Sequence, residues 1–415
     1  MNRKGFKWMV GLIVVGLFIG LVGCPAPPPE VTDEPEVTEE YLDYEGYTPD
    51  LEMPSSDYEG TFRVYTWAGY EDPGLWDVGT YAFSNLYPNV TIEWAFYTDF
   101  QSALAKMMAD PTFGDVILLD STVPKHWEGL IGPLDVNLIP LWDETYPQLQ
   151  NLESMWWEDG ELYFMPEEFG NGMVIYREDI LDELGIPEED RASYDMLFKS
   201  YDGKLEDKIR YYDSATESMA FAFLAAGLPW ETMFTDLTEE DKDLVRAKFL
   251  EGKGNVQGYW SGFEEGYEAL VSGEAAIVTG WQSTYSLAQW GPDFIPGTED
   301  DVAVKMMRPE EGITGWVDGW SIRAGLEEED PDLYKVIHAY INATIDREAG
   351  AWKIDYWATG TPNIYSAELA LSQDMVAEFY WDDPDMAFEG VLEWQYNTPE
   401  QSRVLDELWL ELKTR

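Results

Sequence analysis

A chain of 415 residues with 81 acidic against 25 basic side chains carries a formal net charge of −56 at a pI near 4.1, which argues against nucleic acid or an anionic membrane surface as its partner. A solvated acidic surface explains most of that excess, so the charge favours a cationic partner only weakly. With 45% hydrophobic and 15% aromatic residues the chain has apolar area for a sizeable core, and at this length two lobes are expected rather than one. Two histidines, His126 and His338, and the single cysteine Cys24 leave little basis for histidine or thiol catalysis or for an ordinary zinc site.

The basic cap Asn2-Arg3-Lys4 precedes an apolar run from Met9 to Val22, the pattern of a secretory signal segment. It ends at Leu21-Val22-Gly23-Cys24, which resembles a bacterial lipobox, so residues 1–23 are expected to be removed and Cys24 lipidated. The run is short for a bilayer-spanning helix, which needs about 20 residues. Residues 24–59 follow as a lipidated linker, opened by Pro25-Ala26-Pro27-Pro28-Pro29, rich in Asp and Glu, and disordered or extended.

From Thr61 the pattern becomes that of a folded body. Thr61 to Trp67 reads as a strand, Leu75 to Leu86 as a helix, and Val90 to Tyr97 as a second strand. Phe100, Leu104, Met107 and Met108 predict the apolar face of a helix ended by Pro111, and Asp115-Val116-Ile117-Leu118-Leu119 predicts a strand buried on both faces. This βαβαβ order implies a parallel sheet flanked by helices, with ligands at the strand carboxyl ends, where Trp67, Asp120 and Ser121 fall. The second half repeats the alternation. A helix is expected over Phe263–Val271 with Gly273 as its C-cap, then strands over Ala275–Thr279 and Asp301–Met307. Paired helices are expected over Pro331–Ile345 and Arg347–Trp357. No repeat of solenoid period is present.

Tryptophan is abundant, with 19 in the chain, and several lie at strand ends beside Gly and Asp rather than on apolar faces. Tyr65-Thr66-Trp67-Ala68-Gly69-Tyr70, Gly280-Trp281 and Gly315-Trp316-Val317-Asp318-Gly319-Trp320 are the examples. A linear diamine needs aromatic walls for its methylenes, ring faces for its ammonium ends and carboxylates at matching separation. Trp67, Trp281 and Trp316 are candidate walls, with Asp318 and Glu217 as anionic ends. Asp213 and Glu217 stand four residues apart, the spacing of one helical face, and also that of an ordinary acidic helix start.

These segments resemble the spermidine/putrescine-binding family of periplasmic solute-binding proteins, in the class with two chain crossovers. Tyr65-Thr66-Trp67-Ala68-Gly69-Tyr70 is similar to its opening pattern, and Gly114-Asp115-Val116-Ile117 with Asp120-Ser121-Thr122 to the region that follows. Tyr163-Phe164-Met165-Pro166 through Ile175-Tyr176 resembles the crossover strand, and Asp213-Ser214-Ala215-Thr216-Glu217 a helix start carrying acids. Gly280-Trp281, Gly312-Ile313 with Trp316-Val317-Asp318, Thr361-Pro362-Asn363 and Glu393-Trp394-Gln395 complete the collinear series. The resemblance implies a two-lobed α/β periplasmic binding protein fold of type II. Each lobe is a mostly parallel sheet flanked by helices, with the ligand cleft between them. Residues 60–166 with 313–358 would form lobe 1, and 167–312 with 359–415 lobe 2. It also implies a ligand set of Trp67, Tyr70, Ser121, Asp213, Glu217, Trp281, Trp316, Asp318 and Gln395, and a function as a monomeric lipoprotein that delivers a polyamine to the permease of an ABC importer. No cofactor, metal or nucleic acid is expected. Two departures bear on the ligand. Ser214 stands where the family often has a second acid, and Val123 where an aromatic is common.

Agmatine, a quaternary amine or a sugar are alternative solutes, distinguished by whether carboxylates flank both ends of the aromatic slot. A secreted glycoside hydrolase is the alternative of another class. Its best acid pair, Glu167-Glu168, is adjacent in a strand and so points to opposite sides. Asp382-Asp383-Pro384-Asp385 lacks the glycine and terminal glutamate of a calcium loop.

Overall fold

The first strand, β1 (Gly60–Trp67), lies between β2 (Val90–Tyr97) and β3 (Val116–Asp120) and is parallel to both. Val116 to Leu119 are fully shielded from solvent, as a strand covered on both faces must be, and each contributes roughly 1.5–3 kcal/mol of burial. The computed structural model describes residues 53–67, 78–98, 100–152, 155–157, 159–291, 302–395 and 397–415. The expected signal segment, Cys24, Tyr70 and most of the linker lie outside them.

Helices α1 (Val78–Leu86) and α2 (Phe100–Ala109) complete the two βαβ units. The expected apolar face of α2 needs one correction. Ala103 and Met107 are buried, but Met108 is 68% exposed, because successive helical residues diverge by about 100° and the core meets the 103–107 side.

Two long strands then carry the chain across the molecule. β4 (Ile131–Gly132) adds a short rung to the first sheet, and β5 (Met165–Arg177) runs antiparallel beside β10 (Ile313–Arg323). On its far edge β10 pairs with β3, while β5 pairs with β8 (Ile277–Gly280), which leads to β6 (Ile209–Tyr212) and β7 (Val256–Trp260). The order is therefore β2-β1-β3-β10-β5-β8-β6-β7, with β9 (Val304–Met306) on β5 and β11 (Val391–Glu393) on β10. Parallel pairs lie at both ends of this path and antiparallel ones in the middle, where the chain passes from one lobe to the other.

Two core clusters result, and the first reaches past the crossing strands to second-half residues such as Trp260, Val278 and Tyr285. One gathers Phe62, Val64, Leu118, Trp320 and Tyr340; the other gathers Val174, Tyr211, Phe221, Phe249 and Trp409. Helices α3 (Ala215–Ala225), α4 (Glu239–Glu251), α5 (Phe263–Val271) and α6 (Gln282–Trp290) belong to the second half, and α7 (Pro331–Thr344) and α8 (Arg347–Trp357) return to the first sheet. The C-terminal α9 (Pro399–Thr414) packs on α3 and α4. The expected lobe limits at 166/167 and 312/313 fall within β5 and at the start of β10. Beyond 358, Pro362 and Ile364 still hydrogen-bond to Tyr146 and Glu144 on the first-lobe side.

His338 is a packing residue at the heart of α7. Its Nε2 accepts from the Asp135 N–H at 3.0 Å, its Nδ1 bonds the Tyr334 carbonyl, and burial lowers its pKa to about 4. His126 bonds the Asn397 carbonyl, fastening the C-terminal segment to the first lobe.

Candidate functional site

Asp318 stands on β10 opposite Asp120 of β3 on one side and Glu168 of β5 on the other, so three carboxylates share one rung of the sheet. The rung is made possible by a bulge. Asp318 pairs with Glu168 while Gly319 pairs with Pro166, leaving Glu167 as the extra residue. Glu167 then ion-pairs with buried Lys353, whose ammonium also donates to the Thr344 carbonyl. Both adjacent glutamates nonetheless act on Asp318, since the bulge interrupts the alternation of the strand.

The fourth acid approaches from the second lobe. Ser214 is the N-cap of α3, accepting from the Glu217 N–H at 3.3 Å, and Glu217 occupies the first turn. Trp281, just before α6, donates its Nε1–H to Glu217 Oε2 at 3.0 Å. Trp67, at the carboxyl end of β1, makes the equivalent side-chain hydrogen bond to Asp318. The Asp120 carboxylate is held by Thr122, whose N–H donates to Oδ1 at 2.8 Å and whose hydroxyl donates to the same atom.

Asp120, Glu217 and Asp318 are surrounded by protein yet keep a solvent-reached face, the condition of groups inside a cleft, whereas Glu168 is buried. Burial pushes Asp120 up to about 6 against the two bonds from Thr122. Burial also lifts Glu217 to about 8; the Trp281 bond opposes the shift and the Asp120 charge adds to it. Asp318 is driven well above the usual carboxylate range by burial first, then by Asp120 and Glu168, with Trp67 pulling the other way. Burial is the largest influence on the ionisation of Asp120, Glu217 and Asp318, and neighbouring carboxylates add to it for Glu217 and Asp318; the buried ammonium of Lys353 is paired with Glu167. Carboxylates crowded without a cation hold protons or take up a positive guest.

Aromatic rings accompany Asp318 and Glu217. The Trp67 ring centroid lies 4.7 Å from Tyr97 and 4.6 Å from Phe100. Trp281 packs edge-on against Tyr212 at 4.6 Å and Trp260 at 5.3 Å. Trp316, two residues before Asp318, lies against Gly170, and its buried Nε1–H finds no hydrogen-bond partner among the described residues. It also borders a cavity of about 150 Å³ beside the crossing strands, with Phe169, Asn171, Phe388 and Glu393; none of the four acids lines that cavity. No group of three or more His, Cys, Asp or Glu among the described residues is arranged to hold a metal ion.

Of the residues singled out in the sequence, Trp67 and Asp318 meet directly, Trp281 and Glu217 meet directly, and Trp316 adjoins the crossing. Ser121 is buried on the first side, its N–H bonded to the Val317 carbonyl at 2.7 Å and its hydroxyl unpartnered among the described residues. The expectation of a helical face shared by Asp213 and Glu217 needs correction. Asp213 precedes the Ser214 cap and so is not on the helix; its carboxylate accepts from Trp409 Nε1 at 2.9 Å and from Lys413 Nζ at 2.6 and 2.9 Å, turning toward α9. Gln395 is exposed beyond β11 and makes no hydrogen bond to these acids among the described residues. Tyr70 lies outside the described residues.

Glu168, Tyr97, Tyr212 and Trp260 are not among the ligand residues expected from the sequence, and Asp120, expected at a ligand-facing strand end, is not in that ligand set. Tyr97 and Trp260 are the last residues of their strands, so the strand-end rule that selected Trp67 points to them too. Glu168 carries no such signal, because its place depends on the bulge.

A model of the bacterial extracellular solute-binding protein family matches residues 82–367. No curated protein sequence matches the chain. Among solved structures, the spermidine/putrescine ABC transporter substrate-binding protein of Streptococcus pneumoniae is similar at a TM-score of 0.65 and 16% identity, over 86% of this chain and 99% of that one. A spermidine/putrescine ABC transporter protein from Listeria monocytogenes gives 0.66 and 19%, over 85% and 98%. Maltose-bound MalE3 of T. maritima gives 0.65 and 13%, over 86% and 95%. These likenesses establish the two-lobed α/β binding-protein fold.

Proposed function

The chain belongs to the bacterial extracellular solute-binding proteins, and from that premise we propose that its cleft captures a linear polyamine outside the membrane and presents it to the permease of an ABC importer. The observation that supports this most is the group formed by Asp120, Asp318 and Glu217, which has aromatic neighbours and whose ionisation is dominated by burial and, for Asp318 and Glu217, by neighbouring carboxylates as well. Ammonium ends neutralise such carboxylates through charge-assisted hydrogen bonds, and methylenes lie on indole and phenol rings. A neutral sugar supplies no positive charge to these acids, which would keep their protons beside it, although a maltose-bound protein shares the fold.

In this mechanism Trp67, Trp281 and Trp316 wall the slot and Ser121 lies beside it. The lobes close on the solute, and the closed form is what the permease recognises. A lipid on Cys24 tethers the monomer at the outer face of the membrane, in the periplasm or at the cell surface.

A thermal-shift screen of the full chain with putrescine, spermidine, agmatine, betaine and maltose tests the solute. A ligand at about one hundred times its Kd adds about 2.7 kcal/mol, so an amine that binds raises the Tm visibly. Stabilisation by maltose alone, with the amines inert, refutes the polyamine assignment.

A further inference from the structure

We propose that Asp120 and Asp318 together clasp one primary ammonium group of the solute, and that the pair holds a proton in its place when the cleft is empty. This rests on the amine reading above and deepens it by naming the kind of ammonium and what it displaces. The backbone sets the distance between the two acids. Ser121, the residue after Asp120, donates its N–H to the carbonyl of Val317, the residue before Asp318, at 2.7 Å. In an antiparallel ladder that bond makes the neighbouring couple, Asp120 with Asp318, one of the close, non-hydrogen-bonded kind, with Cα atoms about 4.5 Å apart and both side chains on one face.

On its other side Asp318 has a more distant neighbour. Phe169 exchanges both backbone hydrogen bonds with Gly360, at 2.8 and 2.9 Å, so Glu168 turns its own backbone toward β10 and stands opposite Asp318 at the wider spacing of about 5.5 Å. Glu168 is 3% exposed, whereas Asp120 and Asp318 each keep a solvent-reached face, so these two meet the solute while Glu168 only acts on Asp318. The other groups around the pair are accounted for. Thr122 donates its N–H and hydroxyl to Asp120 Oδ1, and Trp67 donates to Asp318. The Tyr97 hydroxyl donates to the Leu118 carbonyl, and Glu167 is paired with Lys353. From the second lobe comes Glu217, on which the Asp120 charge acts.

Two carboxyl groups on one face of a close couple resist joint ionisation, so one keeps a proton unless a cation arrives. The titration agrees with this geometry, Asp120 at about 6 and Asp318 well above the usual carboxylate range, with burial the first cause for both. A primary ammonium has three N–H donors and bonds both carboxylates at once; the shared proton then leaves to solvent. A quaternary ammonium has no N–H and cannot join them in this way.

Isothermal titration calorimetry of the full chain between about pH 6 and about pH 8, in pairs of buffers of different ionisation enthalpy, tests this. The probes are putrescine and its bis-trimethylammonium analogue. The native chain is expected to bind putrescine at least about tenfold more tightly than the analogue, with release of protons. Asp120→Asn is expected to weaken putrescine about tenfold and to move proton release to lower pH, because Asp318 loses its like-charged neighbour. Asp120→Ser serves as the second variant, and circular dichroism verifies that each folds. Equal or tighter binding of the analogue by the native chain overturns the proposal while leaving the amine reading intact, as does a folded variant that keeps the native affinity or the native pH profile. If neither probe binds, the amine reading falls and this proposal with it.

Discussion

Trp281 Nε1 lies 3.0 Å from Glu217 Oε2, a single bond joining the start of one second-lobe helix to the first turn of another. It does two things at once. It fixes a carboxylate on which the Asp120 charge acts, and it sets the indole edge-on against Tyr212 and Trp260. A charge-assisted bond of this kind contributes about 1.5–3 kcal/mol. Trp281→Phe keeps the ring and loses the donor, so amine affinity should fall by about 10- to 100-fold in calorimetry with the fold retained. Unchanged affinity would remove Trp281 from the site.

The pH response follows from the same carboxyl. Glu217 titrates at about 8 in the fold against about 4.3 when unfolded, so over that window the native state binds more protons. Stability without solute should therefore decrease as pH rises from about 4 to about 8, because the native acid must lose a proton that the unfolded one has already lost. Asp120, raised to about 6, adds to the slope over the lower part of the window. The measurement is the Tm of the solute-free chain across this range. Glu217→Gln should flatten the curve, and a variant curve parallel to the native one would mean that Glu217 does not titrate there. Amine binding has the opposite sign, strengthening as pH rises and the carboxylates ionise.

Much of this architecture is legible in the sequence because burial leaves a local record. Val116 to Leu119 announces a doubly covered strand, and Trp67 announces a strand end, each without reference to any distant residue. Asp120 could be placed at a strand end in the same way. Its role needed the pairing of β3 with β10, a contact between residues about two hundred positions apart that periodicity does not encode. Asp213 misled for a local reason. An acid four residues before Glu217 suggests a shared helical face, but the serine between them caps the helix and puts Asp213 outside it. Glu168 was hidden by a bulge, which has no composition signal here.

Asp213 and Asp318 should therefore behave differently when neutralised. The Asp213 carboxylate pairs with Lys413 at 2.6 Å with both side chains partly exposed, 32% and 23%, so the pair contributes at most about 1 kcal/mol. Asp213→Asn should lower the Tm slightly and leave amine affinity within about threefold. Asp318→Asn removes a buried acid that neighbours Asp120 and accepts from Trp67, and should weaken the amine by about 100-fold or more. Calorimetry on both variants decides this, and a large affinity loss in Asp213→Asn would return that residue to the ligand set.

Trp316 provides the last test, because its position depends on an absent side chain. A Cβ added at Gly170 would lie 2.3 Å from Trp316 Cζ2 and 2.7 Å from Gln282 Oε1, closer than packed atoms approach. Gly170→Ala must therefore push the indole away from β5 or displace Gln282, whose Oε1 accepts the Asn171 N–H at 2.9 Å. If Trp316 walls the slot, Gly170→Ala and Trp316→Ala should each weaken amine binding, and the double variant should bind about as well as the worse single one, since both changes remove the same wall. Losses that simply add in calorimetry would separate the two effects, leaving Gly170 as a constraint on the crossing strands and Trp316 as a wall that does not depend on it.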